Sequence, residues 1–260
     1  MIASELIGKL EELAPCNYAY SWDNVGLLVG REDKPVKRVL LALDATEEMV
    51  EQAIADEVDM IITHHPLVFS GMKQVTTSDY IQRRVYKLIQ HDICCYAMHT
   101  NFDVMGMADA MADELSLQER KVLDVTYEDA IATEGCGRYG TLERSYSLGE
   151  YAMEVKKRLQ LEHILVYGPL DSLVESVAIM PGSGASMIHK ALAASVDVMI
   201  TGDMKHHEGM DAVAQGLGII DAGHYGTEKI FVPYMKEYLR RNAPELVVKA
   251  PYQGNPFKVL

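Results

Sequence analysis

No apolar run in this sequence approaches the roughly 20 residues that a membrane-spanning helix needs; the longest are of strand length. Basic residues are scarce as well. Twenty-four Lys and Arg stand against 38 Asp and Glu, a formal net charge of −14. Binding to nucleic acid depends on neutralising phosphates, so this balance, with no basic run to override it, argues against a nucleic-acid partner. The four cysteines, Cys16, Cys94, Cys95 and Cys136, show no Cys-x-x-Cys spacing. Cys94 and Cys95 are neighbours inside an apolar stretch and read as two buried thiols. A reducing compartment, the cytoplasm, is the expected location. The N-terminal MIASELIGKLEEL carries an early acid and reads as an amphipathic helix rather than as a secretion signal.

What is present suits a soluble globular protein: 48% hydrophobic and 24% charged residues, in a chain long enough for one large domain or two ordinary ones. Short apolar runs rich in β-branched residues alternate with longer segments of helical period. The runs predict strands over Val39–Asp44, Met60–Thr63, Ile93–Met98, Val177–Met180, Val198–Thr201 and Leu217–Asp221. Helices are predicted over Ala3–Leu13, Glu47–Glu57, Ser78–His91, Leu148–Leu159, Ala185–Ser195, Glu208–Gln215 and Thr227–Arg241. Strands that are apolar throughout, rather than alternating, imply burial on both faces and hence mostly parallel sheets covered by helices. That is an α/β fold.

The chain also resembles itself. Residues 36–63 laid over 174–201, a shift of 138 without a gap, share nine identities, among them Val39/Val177, Ala53/Ala191, Asp59/Asp197 and Thr63/Thr201. Both copies read strand, turn, helix, Val-Asp, strand, Ile-Thr, which points to two related α/β units. After a change of length, HTNFD (His99–Asp103) and HYGTE (His224–Glu228) each give His-x3-carboxylate behind a buried run. Between the halves, roughly Leu117–Tyr146, the sequence is polar and turn-rich, so the expected domains are 1–125 and 126–260.

Chemistry concentrates in MIITHHPLVF. In an open parallel sheet, ligands collect beyond the carboxyl ends of strands, where His64 and His65 stand. Neighbouring extended residues point apart, so two adjacent imidazoles suit two ions roughly 3.5–4 Å apart better than one. Asp103 and Glu228 follow other strand ends by a few residues. Glu228 lies four residues after His224 and would share the first face of a helix beginning there. The resulting expectation puts His64 and Asp103 on one ion, His65 and His224 on the other, and Glu228 between them. Open positions are left for water or substrate. Imidazole and carboxylate without thiolate fit two divalent ions of zinc, iron, manganese, cobalt or nickel. His99 is expected to orient a ligand or move a proton, or to be a satisfied core histidine. SWDNVGL is either a plain turn or a loop presenting Asp23 or Asn24 to the site. His206 and His207 fall too late in the repeat to be ligands and read as solvated residues at a helix start. MPGSGAS looks like a weak phosphate cradle without the lysine of a P-loop.

Taken together, SWDNVGL, ITHHP, HTNFD, TGDMKHH, GHYGTE and the terminal NPF resemble the NIF-three-like dinuclear-metal family, often labelled GTP cyclohydrolase 1 type 2 homologues. The motifs run in the family's order from Trp22 to Phe257, and HTNFD replaces the commoner HTNLD. The resemblance implies two interlocked α/β domains, the short form without an inserted central domain, and a toroidal homohexamer. It also implies metal ligands at His64, His65, Asp103, His224 and Glu228. The label implies a hydrolase that opens a ring of GTP with a metal-activated water, so a small-molecule substrate and no membrane partner are expected. A non-catalytic metal carrier or insertion factor, or a regulatory scaffold, is the competing reading.

Overall fold

Strand and helix alternate along the chain as the apolar patterning predicts. The computed structural model describes residues 1–259. Its first elements are α1 (Ala3–Leu13), β1 (Gly26–Val29), β2 (Arg38–Ala42), α2 (Glu47–Ala55), β3 (Met60–Thr63), α3 (Tyr80–Gln90) and β4 (Cys94–Ala97). One helical turn, α4 (Thr100–Phe102), passes through a π-turn over Asp103–Met107 into α5 (Ala108–Glu114). Next come β5 (Gln118–Glu128), β6 (Thr133–Ser147), α6 (Leu148–Arg158), β7 (Leu165–Tyr167) and β8 (Leu173–Ser183). Then follow α7 (Ile188–Ala193), β9 (Val198–Gly202), α8 (His206–Ala214), β10 (Gly218–Asp221), α9 (His224–Glu228), α10 (Phe231–Asn242) and β11 (Val247–Lys249).

The chain forms two compact units: Met1–Phe102 with Phe231–Gly254, and Asp103–Ile230 with Asn255–Leu260. A boundary at residue 125 would fall inside β5, which pairs along its length with β6. The division lies ahead of that hairpin, and the segment after Ile230 returns to the first unit.

The first unit holds a five-stranded sheet in the order β1-β4-β3-β2-β11, parallel except for the edge strand β1. Every residue of β3 and β4 is buried, which explains their unbroken apolar runs. Leu40, Ala42, Ile61 and Cys95 face a core with Met49, Val50, Ala53, Val85 and Leu88. The alternate residues Val39, Leu41, Ile62 and Tyr96 are fully buried too. Each such side chain contributes roughly 1.5–3 kcal/mol by leaving water. Thr46 starts α2 by accepting from the Met49 amide, and Asp79 starts α3 by accepting from Ile81 and Gln82. Each cap is worth about 1 kcal/mol. Parallel pairing sets Ala42, Thr63 and Ala97 side by side, so β2, β3 and β4 end at one edge.

The second sheet runs β5-β6-β8-β9-β10-β7 and is mixed: β8, β9 and β10 are parallel, the other pairings antiparallel. Where the sequence reads as a polar linker, β5 and β6 form a long hairpin. The glycines of EGCGRYG do not mark turns. A β-carbon at Gly135 or Gly140 would run into the paired backbone at Asp124 or Gln118, so these positions need glycine for close strand approach. Cores lie on both faces, Val177, Ile179 and Ile200 with Tyr151 and Val155 on one, Ala178 and Met199 with Ala191 and Ala212 on the other.

The internal repeat is realised residue by residue. Val39 pairs with Met60 in the first unit as Val177 pairs with Val198 in the second. After the helix, Val58 donates to the Ala53 carbonyl and Val196 to that of Ala191. Glu57 and Ser195, at the same turn, both take positive φ, 51° and 56°. A single helix expected over Thr227–Arg241 is instead broken between α9 and α10. Pro233 has no N–H to give the Lys229 carbonyl, so the ladder cannot pass that point.

Candidate metal centre

In the first unit the chain turns as soon as β3 ends. Thr63 Oγ1 donates to the His65 carbonyl at 2.8 Å, and the His65 amide donates to the Leu43 carbonyl at 2.9 Å. The two histidines lean to opposite flanks. His64, fully buried, sets Nδ1 2.8 Å from the Met98 carbonyl beyond β4. His65 sets Nδ1 2.9 Å from Asp44 Oδ1 beyond β2. His99, just after β4, sets Nδ1 2.9 Å from Asp23 Oδ1. The rings are closer than the alternation of an extended chain predicts, with centroids 4.9 Å apart for His64 and His65. His99 lies 5.2 and 5.6 Å from them. One ligand nitrogen from each of the three comes within 4.8 Å of the others.

Asp23 is what fixes His99. Its side chain has no exposed surface, and besides the imidazole it accepts from the Thr100 amide at 3.1 Å and the Thr100 hydroxyl at 2.6 Å. Burial opposes its charge, but the hydrogen bonds from His99 and Thr100 outweigh that and hold the carboxyl down to about 2. Asn24 braces the same loop: its amide side chain donates to the Val68 carbonyl at 2.5 Å and its backbone N–H to Asp23 Oδ1 at 2.8 Å.

In the second unit His224 opens α9 behind β10. Its Nδ1 stands 2.7 Å from Asp203 Oδ2 and its Nε2 3.0 Å from Glu228 Oε2. Glu228 is 3% exposed. It occupies the last position of α9, not the first turn that the sequence suggested, so the helix dipole gives its charge no support. Two glycines make room here. A β-carbon at Gly182 would strike the Glu228 carboxylate, and one at Gly202 would strike the backbone of Gly223 and His224. The Gly182 amide donates to Thr227 Oγ1 at 2.9 Å. The MPGSGAS segment therefore continues β8 and wraps the acid; its glycine serves Glu228. Asp103, half-buried, opens the π-turn, a helix distortion frequent at functional sites. His206 and His207 are exposed at the start of α8, as expected of solvated residues.

The donor set fits a divalent cation. A carbonyl oxygen or a carboxylate accepts from Nδ1 of each of the four imidazoles, which assigns the ligand role to Nε2, the atom that in His224 faces Glu228. Metal-binding histidines are oriented in this way. The sequence brought out the imidazoles and Glu228 but missed the oxygens that aim them, Asp44 and Asp203. TGD carries Asp203, and the end of β2 carries Asp44; only the neighbour strand's register reveals which imidazole each meets.

Among the described residues no helix is long and apolar enough to cross a membrane. The chain is 34% identical over 230 residues to a GTP cyclohydrolase 1 type 2 homolog of Clostridium perfringens, covering 88% of this chain and 87% of that protein. A protein of the same name from Streptococcus pneumoniae is 37% identical over 238 residues, covering 89% and 88%. The crystal structure of a Bacillus cereus protein related to NIF3 matches with a TM-score of 0.91 at 26% identity, covering 100% of this chain and 99% of that one. The profile of the family described as Duf34/NIF3 (NGG1p interacting factor 3) matches residues 1–255, and the chain belongs to that family.

Proposed function

We propose that this chain is a dinuclear metal-binding protein acting as a metal-dependent hydrolase, with His64, His65, Asp103, His224 and Glu228 as ligands. His64 and Asp103 would hold one ion and His65 and His224 the other, with Glu228 available to both. Zinc, iron, manganese, cobalt and nickel all suit nitrogen and oxygen donors of this kind. When bound, such a pair makes water a stronger nucleophile and offsets negative charge that develops on the substrate. The observation that carries the reading is the anchoring of four imidazoles through Nδ1, three of them in one cluster.

The chain's own residues supply the rest. His99 can accept a proton at Nε2 while Asp23, ionised and buried, fixes its tautomer and stabilises the imidazolium that results. Asn24 keeps the loop that carries Asp23 in place. The name of the relatives supports a ring of GTP as substrate: water adds across a ring C–N bond, oxygen to carbon and a proton to nitrogen, and that bond opens. A cytoplasmic homohexamer belongs to the same proposal; light scattering should then give six times the chain mass of 29.0 kDa.

The deciding experiment is turnover by metal-loaded protein against nucleotides, cyclic amides and phosphoesters, with Glu228→Ala as control. Hydrolysis above the Glu228→Ala level is expected for one class, and none above it for any class would remove the hydrolase. A metal carrier would then stand, a role favoured by the exposed His206–His207 pair, whose rings lie 5.1 Å apart.

A further inference from the structure

We propose that Gln253, near the C-terminus, is a positioning residue that sets His65 for metal binding; this rests on His65 being a ligand. β11 pairs in parallel with Arg38–Leu40, but its ladder ends there while the neighbouring strand continues to Ala42 and the chain to Asp44. Beyond Lys249 the main chain leaves the sheet, and Pro251 has no N–H to donate. The side chain of Gln253 takes over. Its Oε1 accepts from the Leu43 amide at 2.9 Å and the Asp44 amide at 3.2 Å, and its Nε2 donates to the Asp44 carbonyl at 3.1 Å. A primary amide offers the same donor and acceptor as a peptide group, so it extends the ladder by two residues.

Those two residues are the ones that hold His65. The Leu43 carbonyl accepts from the His65 amide, and the Asp44 carboxylate accepts from its Nδ1, each at 2.9 Å. The Asp44 side chain is 51% exposed. Its aim depends on the backbone beneath it, and Gln253 grips that backbone from both its N–H and its C=O. Main chain and ring of His65 thus both hang on a segment clamped from the C-terminal tail.

The test uses the full chain as Gln253→Ala, Asp44→Ala and the double variant. Affinity is read by chelator competition with Zn²⁺ and with Mn²⁺, alongside the melting temperature of the metal-stripped protein. Loss of an outer hydrogen-bond partner typically weakens a metal site about 10- to 100-fold, so Gln253→Ala should lie near the lower end of that range. The double variant should lose less than the two single losses combined, and apo melting should fall by roughly 2–12 °C, the cost of two strand amides losing their acceptor in a chain of this size. Wild-type affinity in Gln253→Ala, or single losses that simply add, would overturn the proposal. The ¹⁵N shifts of the His65 ring in the metal-stripped protein give a readout that needs no ion. Wild type should show the Nδ1–H tautomer and Gln253→Ala a mixture, and an unchanged spectrum would refute the role of Gln253. If wild type bound neither metal, the metal reading would fall while this spectrum still judged Gln253.

Discussion

The backbone at Gly182 approaches the Glu228 carboxylate so closely that no side chain can stand between them. Its φ of +69° is also one that side-chain-bearing residues rarely adopt. Gly182→Ala should therefore weaken metal binding at least about ten-fold, the lower bound for disturbing a ligand's surroundings. It should also destabilise the fold by roughly 1–2 kcal/mol from backbone strain alone. Gly216→Ala separates the two effects, because φ there is +91° but open space surrounds the position. That control should lose stability and keep the metal. Chelator competition and urea unfolding on both variants decide the matter.

Asp23 should give the stability a recognisable acid dependence. Its folded pKa of about 2 lies below the ordinary 3.8, so the ionised form favours the folded chain. The contribution is complete above about pH 4 and is lost as the pH falls through about 2. Its size is on the order of 2 kcal/mol. Urea midpoints of metal-stripped wild type and Asp23→Asn should differ at pH 6 and converge near pH 2. A gap that stayed constant across that range would count against the ionised, buried carboxylate.

Asp59 and Asp197 do the same work 138 residues apart. Asp59 Oδ2 accepts from the Lys37 and Arg38 amides, and Asp197 Oδ2 from those of Glu175 and Ser176, each at 2.8 or 2.9 Å. Replacing either by Ala should cost about 1–3 kcal/mol, since strand amides lose their acceptor. Asparagine keeps an oxygen in place and should cost less. Equal unfolding midpoints for the Ala and Asn variants would sink this account.

Thiol reagents should find little to attack in the folded chain. Burial pushes the Cys95 thiol up to about 12, with its neighbour Cys94 adding to the shift, and burial raises Cys94 as well. The thiolate is the reactive form, so both should stay silent until denaturant is added. Cys16, only partly buried, should react first. Timed labelling followed by mass spectrometry reports the order.

Much of this architecture is legible in the sequence because it is written locally. α1 and β3 have the limits that helical period and a short apolar run predict. The repeat fixes the shared strand register as well. The hairpin of β5 and β6 escapes notice because most of β5 is exposed and the glycines of β6 mimic a linker. β7 and β11, three residues each, are too short to carry a period. Within the site, His64, His65, His224 and Glu228 announce themselves by motif. Asp44, Asp203 and Gln253 do not, since each meets its partner only once the strands have paired, 21 residues away for the two acids and 209 for Gln253 with Asp44.

The shift that lays β3 on β9 also brings Asp203 to the place of His65. One strand end therefore holds out a nitrogen, while its twin holds out an oxygen that steers the imidazole of a following element, His224. The two matching strand ends differ in this side chain, histidine after the first and aspartate after the second. The division of labour is written in the tenants, not in the scaffold.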